Sequence, residues 1–486
     1  MVFSSHLFLF YFLPVTLLLY YAAPRRAQHL SLTTVSYIFY GWANPLFSFL
    51  LLLSTLIDYI AGLVMVLGAP RNWRSGQMHR LEPGEPRTRR QKTALVLSMC
   101  ANVALLGFFK YFNFGVDSYN GVIDWLGFSG LRLDSVLRIT LPLGISFYTF
   151  QSMSYAIDVY RGDATAIRNF IDFACFETMF PQLVAGPIIR FQEIADQLRE
   201  RTHTSAKFAR GVAFFSLGLA KKVLLANPCG KIADLAFGAG SLGPLEAWYG
   251  VTAYAFQIYF DFSGYSDMAI GLGLMFGFVF AKNFDSPYRS QSITEFWHRW
   301  HISLSTWLRD YLYRPLGGNR EGRARTYLNL LIVMLLGGLW HGAAWNFVMW
   351  GALHGVLLAF ERLRGKAALY GGLPAPARVG ITFAIVLITW VFFRAPDMPQ
   401  AVRYLSDMLA RGDPQGGASL LAGIVYQPYY LGTFLLAGAI VWSAPQTWDW
   451  TRTLALPKAA VILALLVLSA VVLATQSYNP FIYFIF

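Results

Sequence analysis

Charged residues are scarce in this chain of 486 residues. Asp, Glu, Lys and Arg together make up 13% of it, which is about half the share found in a typical soluble protein. Hydrophobic residues make up 56%. A soluble chain of this length would form roughly three domains, and this composition cannot cover three such cores with a polar surface. The scarcity of charge therefore excludes a soluble protein and predicts an integral membrane protein.

Cysteine and acidic residues are also few. The three cysteines, Cys100, Cys175 and Cys229, are odd in number and far apart, which excludes a disulfide framework and a CxxC metal pair. Asp and Glu number 26 against 39 Lys and Arg, so the net charge is +13. The basic residues lie in short loops between apolar runs, as the positive-inside bias of membrane proteins requires. The excess charge thus indicates a lipid bilayer as the surroundings and no nucleic-acid partner.

Long apolar runs are abundant. A helical span needs about 20 residues, and the alternation of a transmembrane β-barrel is absent. We therefore predict an all-α polytopic membrane protein with about 10–13 apolar helical segments. The runs are residues 3–23, 30–43, 45–67, 93–113, 138–160, 169–189, 208–227, 246–280, 326–344, 345–361, 379–394, 420–444 and 459–476.

One of these runs, residues 169–189, does not fit a single straight span. Basic residues precede and follow it in the chain, which would put both of its ends on the same side of the membrane. Pro181, Gly186 and Pro187 also interrupt it. We predict a broken or re-entrant segment, which is tolerated only where protein or a cavity surrounds the backbone. The stretch 246–325 raises the same expectation.

The segment WHRWHISLSTWLRDYLY, residues 297–313, predicts an amphipathic helix. At about 100° per residue, five large apolar side chains form one stripe, and His301 flanks it. Two interpretations stay open: a helix at the membrane interface, or a helix that lines a water-filled cavity into which His301 points. The stripe consists of Trp297, Trp300, Leu304, Trp307 and Tyr311.

A second motif, GGLWHGAAWN, covers residues 337–346. A histidine inside a membrane segment is costly unless it faces a cavity or a partner. His341 could be a satisfied core residue, but it is not isolated, because His301 and His354 are also present. The small residues around it leave room for a backbone or a ligand to approach.

A third motif, FDFSGYSDMAIG, places Asp261 and Asp267 inside a long apolar stretch. Carboxylates within a membrane are candidates for function. They could form a hydrogen-bonding patch that pins a broken helix, or they could mark a proton or cation path. The second interpretation keeps a proton-coupled transporter open.

Other site signatures are missing. His298 and His301 have a spacing that could suit a metal ion, but no clear carboxylate or thiolate complement lies nearby, so we predict no metal site. The glycine-rich residues 317–323 lack the GKS or GKT of a phosphate loop, and no GxSxG elbow of a serine hydrolase is present.

Two longer segments resemble the signature blocks of the membrane-bound O-acyltransferase (MBOAT) family, most closely its alginate-acetylating branch. They are residues 290–319 and 334–355. One departure is His298, where such proteins commonly have Arg. Supporting blocks are the opening MVFSSHLFLFYFLP and residues 141–163, 180–191 and 259–278.

The resemblance implies one integral-membrane domain over residues 1–486. Its core is expected at residues 90–395, followed by less characteristic C-terminal helices at 396–486. It also implies a central funnel or tunnel through which an acyl group passes from a cytoplasmic thioester donor toward an acceptor outside. Acetyl-CoA is the expected co-substrate, and no bound cofactor is expected.

The resemblance assigns the catalytic role to His341, as general base, with His301 as its partner. The chemistry agrees, because a hydroxyl needs a base before it can attack a thioester at neutral pH. We name Asn346 and Trp340 as candidate oxyanion or positioning groups. Candidate contacts to the donor phosphates are Lys282, Arg289 and Arg314.

The expected acceptor is a hydroxyl of an exported polysaccharide, alginate first, with a periplasmic acetyltransferase partner and a place in the bacterial inner membrane. Within the family, D-alanyl transfer to teichoic acid and acetylation of cellulose or peptidoglycan are alternatives. Outside it, a transporter or a catalytically silent scaffold of a secretion complex stays open.

Overall fold

The computed structural model describes residues 1–73, 76–365, 368–411 and 423–482. Regular structure in these residues is helical throughout, which confirms the predicted all-α fold. The α-helices are α1 (Leu13–Ala22), α2 (Gln28–Gly41), α3 (Pro45–Leu67), α4 (Arg89–Leu106), α5 (Phe112–Trp125), α6 (Ile145–Arg161), α7 (Phe170–Thr178), α8 (Phe180–Leu183), α9 (Phe191–Arg199), α10 (Ser205–Ala220), α11 (Asn227–Gly238), α12 (Pro244–Met275), α13 (Ile293–Arg299), α14 (Ile302–Leu308), α15 (Arg323–His341), α16 (Trp345–Leu363), α17 (Ala375–Arg394), α18 (Met398–Met408), α19 (Pro428–Ser443), α20 (Thr447–Trp450) and α21 (Leu456–Thr475).

Short irregular helices interrupt or connect these elements. Four in the described chain are π-helical; two of them join two α-helices into one continuous stretch, and the other two extend one α-helix. The π-helical segments are Phe8–Phe12, Gly107–Tyr111, Lys221–Ala226 and Arg309–Tyr313, and the 3-10 turns are Arg25–Ala27, Pro70–Asn72, Ser129–Leu131 and Pro287–Arg289.

Four helical stretches of the described chain are long and apolar enough to cross a membrane. They are α3, the continuous stretch Arg89–Trp125, α17 and α21. This supports the multi-pass character predicted from composition. The other apolar runs form shorter or interrupted helices, or helices such as α12 that are buried inside their unit.

The chain divides into two compact units. The first contains residues 1–2, 7–203 and 276–280, and the second contains residues 3–6, 204–275 and 281–486. The segment 169–189, in the first unit, is broken as predicted. Helix α7 ends at Thr178, α8 ends at Leu183, and regular helix resumes only at Phe191. Every residue from 173 to 189 is buried, so protein surrounds this non-helical backbone.

In the second unit, glycines bring α10 and α12 into backbone contact. A Cβ at Gly218 would lie 2.4 Å from the carbonyl oxygen of Gly264, and one at Gly211 would lie 2.7 Å from that of Gly271. Gly211 and Gly218 are seven residues apart on α10, and Gly264 and Gly271 are seven residues apart on α12. The two contacts therefore lie along one seam between the helices. The small residues therefore let the backbones of the two helices approach closely.

The expectation of a break within 246–325 is only partly correct. Helix α12 runs without interruption for 32 residues and contains both Asp261 and Asp267. The break comes after Met275, where residues 276–292 form no α-helix. The aspartates therefore do not pin a broken helix, because they lie in the interior of a continuous one.

The seam between α10 and α12 can be tested with Gly218→Ala. The added methyl group overlaps backbone that cannot move aside, so we expect the free energy of unfolding to fall by about 1–3 kcal/mol. Gly432→Ala in α19 is the matched control, because a Cβ there meets nothing within 4 Å. Thermal unfolding in detergent measures both variants. Equal melting temperatures for the two would contradict the seam.

Candidate active site

The helix predicted over residues 297–313 is interrupted at His301, so that prediction was wrong. Helix α13 ends at Arg299 and α14 begins at Ile302. His301 adopts a left-handed conformation, with φ of +43°. The aromatic stripe therefore does not share one helical face. Instead, the histidine occupies a sharp turn between two short helices.

Hydrogen bonds from a distant segment hold this turn. The backbone N–H of Ile302 donates to the carbonyl of Asn283 at 2.9 Å, and the N–H of Asp285 donates to the carbonyl of Arg299 at 2.9 Å. The two bonds pair residues 283–285 with the break in the helix. They satisfy backbone groups that an intact helix would have paired internally.

Asn283 also holds the turn through its side chain, and none of the sequence motifs pointed to this residue. Its oxygen accepts from the N–H of Ser303 at 3.2 Å and from the Ser303 hydroxyl at 2.8 Å. Its nitrogen donates to Ser266 at 2.9 Å, and its oxygen lies 3.2 Å from Nδ1 of His301. Because that oxygen only accepts, Nδ1 of His301 carries the ring hydrogen and Nε2 presents its lone pair.

His301 is fully buried, with 0% of its surface exposed. It lies between α13 and α14, outside the four membrane-crossing stretches. Burial lowers the pKa of the His301 imidazole to about 3, since a low-dielectric site disfavours the charged ring. The imidazole is therefore neutral at physiological pH and acts as a hydrogen-bonding group.

His341 is the last residue of α15 and is 3% exposed. Its ring centroid lies 6.4 Å from that of His301. The structure thus brings together two histidines that are 40 positions apart in the chain, as the resemblance implied. Aromatic rings enclose His341, with centroid distances of 4.9 Å to Trp340, 5.2 Å to Trp350 and 5.2 Å to Phe393.

The glycines near His341 serve helix packing. A Cβ at Gly338 would lie 2.3 Å from the carbonyl oxygen of Phe347, and one at Gly351 would lie 2.4 Å from that of Met334. A Cβ at Gly342 would meet the Phe347 ring at 2.2 Å. The small residues therefore let α15 and α16 pack closely, and this contact positions His341 at the end of its helix.

The third histidine, His354, has a structural role. Nε1 of Trp297 donates to its Nδ1 at 3.2 Å, and its Nε2 lies 3.1 Å from the hydroxyl of Thr389. That hydroxyl donates to Val386, so it accepts from His354. Both ring nitrogens are thus engaged, and the bonds fix the orientation of Trp297.

Asn346 does not support the predicted oxyanion role. Its side-chain nitrogen donates to the carbonyls of Phe392 at 3.1 Å and Ala395 at 2.7 Å. Both amide hydrogens are therefore used to tie the start of α16 to the end of α17. Trp340 contacts both His301 and His341, and its predicted role stays a prediction.

The two intramembrane aspartates form ion pairs with consecutive lysines. Asp261 lies 2.9 Å from Nζ of Lys222, and Asp267 lies 2.6 Å from Nζ of Lys221. Ile482 donates its N–H to Asp261 at 3.0 Å, so the C-terminal segment also contacts the first pair. Since each carboxylate has a cationic partner, these contacts favour a structural role over a proton path.

A cavity of about 450 Å³ lies beside the turn that carries His301. Trp297 and Ile302, on either side of this turn, form part of its wall. Three side chains that can be cationic line it, namely His298, Arg309 and Arg362. The rest of the lining is mostly apolar, from Leu308, Leu330, Val333, Met334 and Leu358.

The structure does not bring the predicted phosphate contacts to this cavity. Arg289 donates to the carbonyls of Val441 and Ala444, at the end of α19. Lys282 is paired with Asp285 and Asp449, and Arg314 is paired with Asp310. Arg289 is held by backbone groups and the other two by carboxylates, so the phosphate assignment loses its support.

Comparison with known proteins gives the family that this chain is similar to. The model of the membrane-bound O-acyltransferase family matches residues 163–369, which include both His301 and His341. A probable alginate O-acetylase of Azotobacter vinelandii is 45% identical over 520 aligned positions, and one of Pseudomonas putida is 45% identical over 508, each covering 100% of both chains. A peptidoglycan O-acetyltransferase of Helicobacter pylori is 36% identical over 444 positions, covering 84% of this chain and 80% of the relative.

The support that Asn283 gives to the turn can be tested with Asn283→Ala. Loss of its hydrogen bonds lets the turn open more often, so we expect diethyl pyrocarbonate to modify His301 at least about tenfold faster. Mass spectrometry measures the rate. Asn329→Ala is the matched control, because Asn329 is a buried amide that binds the carbonyls of Leu316 and Gly318. Equal rates in the two variants would show that Asn283 does not hold His301.

Proposed function

We propose that this chain, which belongs to the membrane-bound O-acyltransferase family, moves acetyl groups from acetyl-CoA to hydroxyl groups of alginate. The observation that carries the proposal is the pair of buried histidines, 6.4 Å apart between ring centroids, within the region that matches the family. The relatives named as alginate O-acetylases, which match along their whole length, support the acceptor.

His341 acts as the general base. A sugar hydroxyl gives its proton to the imidazole while its oxygen attacks the thioester carbonyl carbon, and a carbon–oxygen bond forms. The resulting intermediate collapses, the carbon–sulfur bond breaks, and the imidazolium returns the proton to the departing thiolate. The aromatic rings around His341 exclude water that would otherwise hydrolyse the thioester.

His301 positions the acceptor. With its Nδ1 hydrogen directed to Asn283, its Nε2 accepts a hydrogen bond from a neighbouring hydroxyl of the acceptor sugar. The left-handed turn and the bonds to residues 283–285 supply the rigidity that such positioning needs. His301 therefore contributes through geometry, while His341 takes the proton.

The cavity beside the turn is the donor site. Its apolar wall suits the thioester arm of coenzyme A, and the cations at His298, Arg309 and Arg362 suit its phosphates. Location favours these residues over Lys282, Arg289 and Arg314, because only the former line the cavity, where Arg309 also pairs with Asp310.

The acceptor and the surroundings follow from the same relatives. Alginate is favoured over peptidoglycan because the alginate O-acetylases are more similar than the peptidoglycan enzyme, at 45% against 36% identity. We place the protein in the bacterial inner membrane. A periplasmic acetyltransferase receives the acetyl group or completes its transfer to the polymer.

The proposal is tested with His341→Ala in nanodiscs. Removal of the base should lower kcat for acetyl transfer from radiolabelled acetyl-CoA to alginate by about 10²–10⁴-fold. His79→Ala, in an exposed loop, should match the wild type. If the purified protein needs a partner, membranes that contain the native export complex provide the assay. Equal turnover by His341→Ala and the wild type would remove His341 as the base.

The donor site is tested with Arg362→Gln. Loss of one phosphate contact should raise the KM for acetyl-CoA roughly tenfold, a difference of about 1.4 kcal/mol, with kcat nearly unchanged. Arg364→Gln is the matched control, since Arg364 is exposed at the same helix end and does not line the cavity. An unchanged KM for Arg362→Gln would place the donor elsewhere.

A further inference from the structure

The indole N–H of Trp350 is a buried hydrogen-bond donor with no acceptor among the described residues. The side chain is 1% exposed, and its ring meets the ring of His341 edge to face, at 5.2 Å and 88°. Buried N–H groups in folded proteins nearly always have a partner, so an exception beside a candidate catalytic base calls for an explanation.

Neighbouring tryptophans of the same aromatic cluster do have partners. The N–H of Trp297 donates to His354 at 3.2 Å, and the N–H of Trp390 donates to the hydroxyl of Tyr288 at 3.1 Å. Trp390 stacks on Trp350 at 5.9 Å between ring centroids. The cluster therefore supplies acceptors for Trp297 and Trp390 and leaves Trp350 without one among the described residues.

The surroundings of Trp350 offer few acceptors. Aromatic rings pack against it, those of Trp297, Trp390 and Phe393, together with the imidazoles of His341 and His354. His354 already has both nitrogens engaged. A donor held in such an apolar environment is strongest toward an oxygen that gains negative charge, because no solvent competes with it.

We propose that the N–H of Trp350 donates to the carbonyl oxygen of the acetyl thioester and stabilises the oxyanion that forms on it. This inference rests on the proposed function and names a catalytic residue for it. Asn346 was the sequence-based candidate, and its amide hydrogens are used by backbone carbonyls. Trp350 lies four residues further along α16, and its N–H has no acceptor among the described residues.

The step balances without proton transfer to or from Trp350. As the sugar oxygen bonds to the carbonyl carbon, the π electrons of the carbonyl move to its oxygen, which the indole N–H then binds more strongly than in the ground state. When the carbonyl forms again, the carbon–sulfur bond breaks and the thiolate leaves. The proton moves through His341 alone.

The test compares Trp350→Phe with Trp390→Phe in the full-length protein in nanodiscs. Both variants remove one indole N–H from a fully buried ring, but only Trp390 has an acceptor for it. We expect Trp350→Phe to lower kcat by about 10²–10³-fold, as loss of one oxyanion donor does, while the KM for acetyl-CoA changes less than about threefold. We expect Trp390→Phe to keep kcat within about threefold.

Three results would overturn the inference. They are a kcat for Trp350→Phe within threefold of the wild type, an equal fall in both variants, or a rise in KM with kcat unchanged. If Trp350→Phe does not fold, benzothienylalanine at position 350 removes the N–H and keeps the ring shape, with the same expected fall. Turnover that survives His341→Ala would instead count against the proposed base, so the two failures are distinguishable.

Discussion

The site depends on one set of hydrogen bonds, those between residues 283–285 and the break that carries His301. A histidine in a left-handed conformation is strained, and the strain persists only where surrounding contacts require it. Here, two backbone bonds and the side chain of Asn283 supply those contacts. Without them, residues 297–313 could continue as one helix, and His301 would lie on its flank.

Helix packing completes the same site from the other side. Backbone contact at Gly338 and Gly351 holds α15 and α16 together, and His341 lies at the end of α15. Large aromatic rings then fill the space around the imidazole. A rigid, dry enclosure of this kind strengthens each remaining polar interaction, which is why a few donors and acceptors can control the reaction.

Charged residues are few, and the two aspartates inside α12 form ion pairs with lysines. Lys221 and Lys222 neutralise Asp267 and Asp261 inside the second unit, and the chain near Ile482 binds to one of these pairs. The residues after position 395, which carried little signal in the sequence, therefore help to satisfy buried charge. Cations that line the cavity, such as Arg362, lie instead where an anionic donor could reach them.

The sequence by itself determined that the chain is an all-helical membrane protein, and its motifs marked His301 and His341 as candidate site residues. Scarce charge, long apolar runs and the family's motifs are properties of continuous segments, so they can be read without a fold. The tertiary structure alone decided the turn at His301, its hydrogen bonds to Asn283 and the use of the Asn346 amide. It also left the N–H of Trp350 without an acceptor among the described residues. Each of these depends on contacts between distant residues, and helical periodicity carries no information about such contacts.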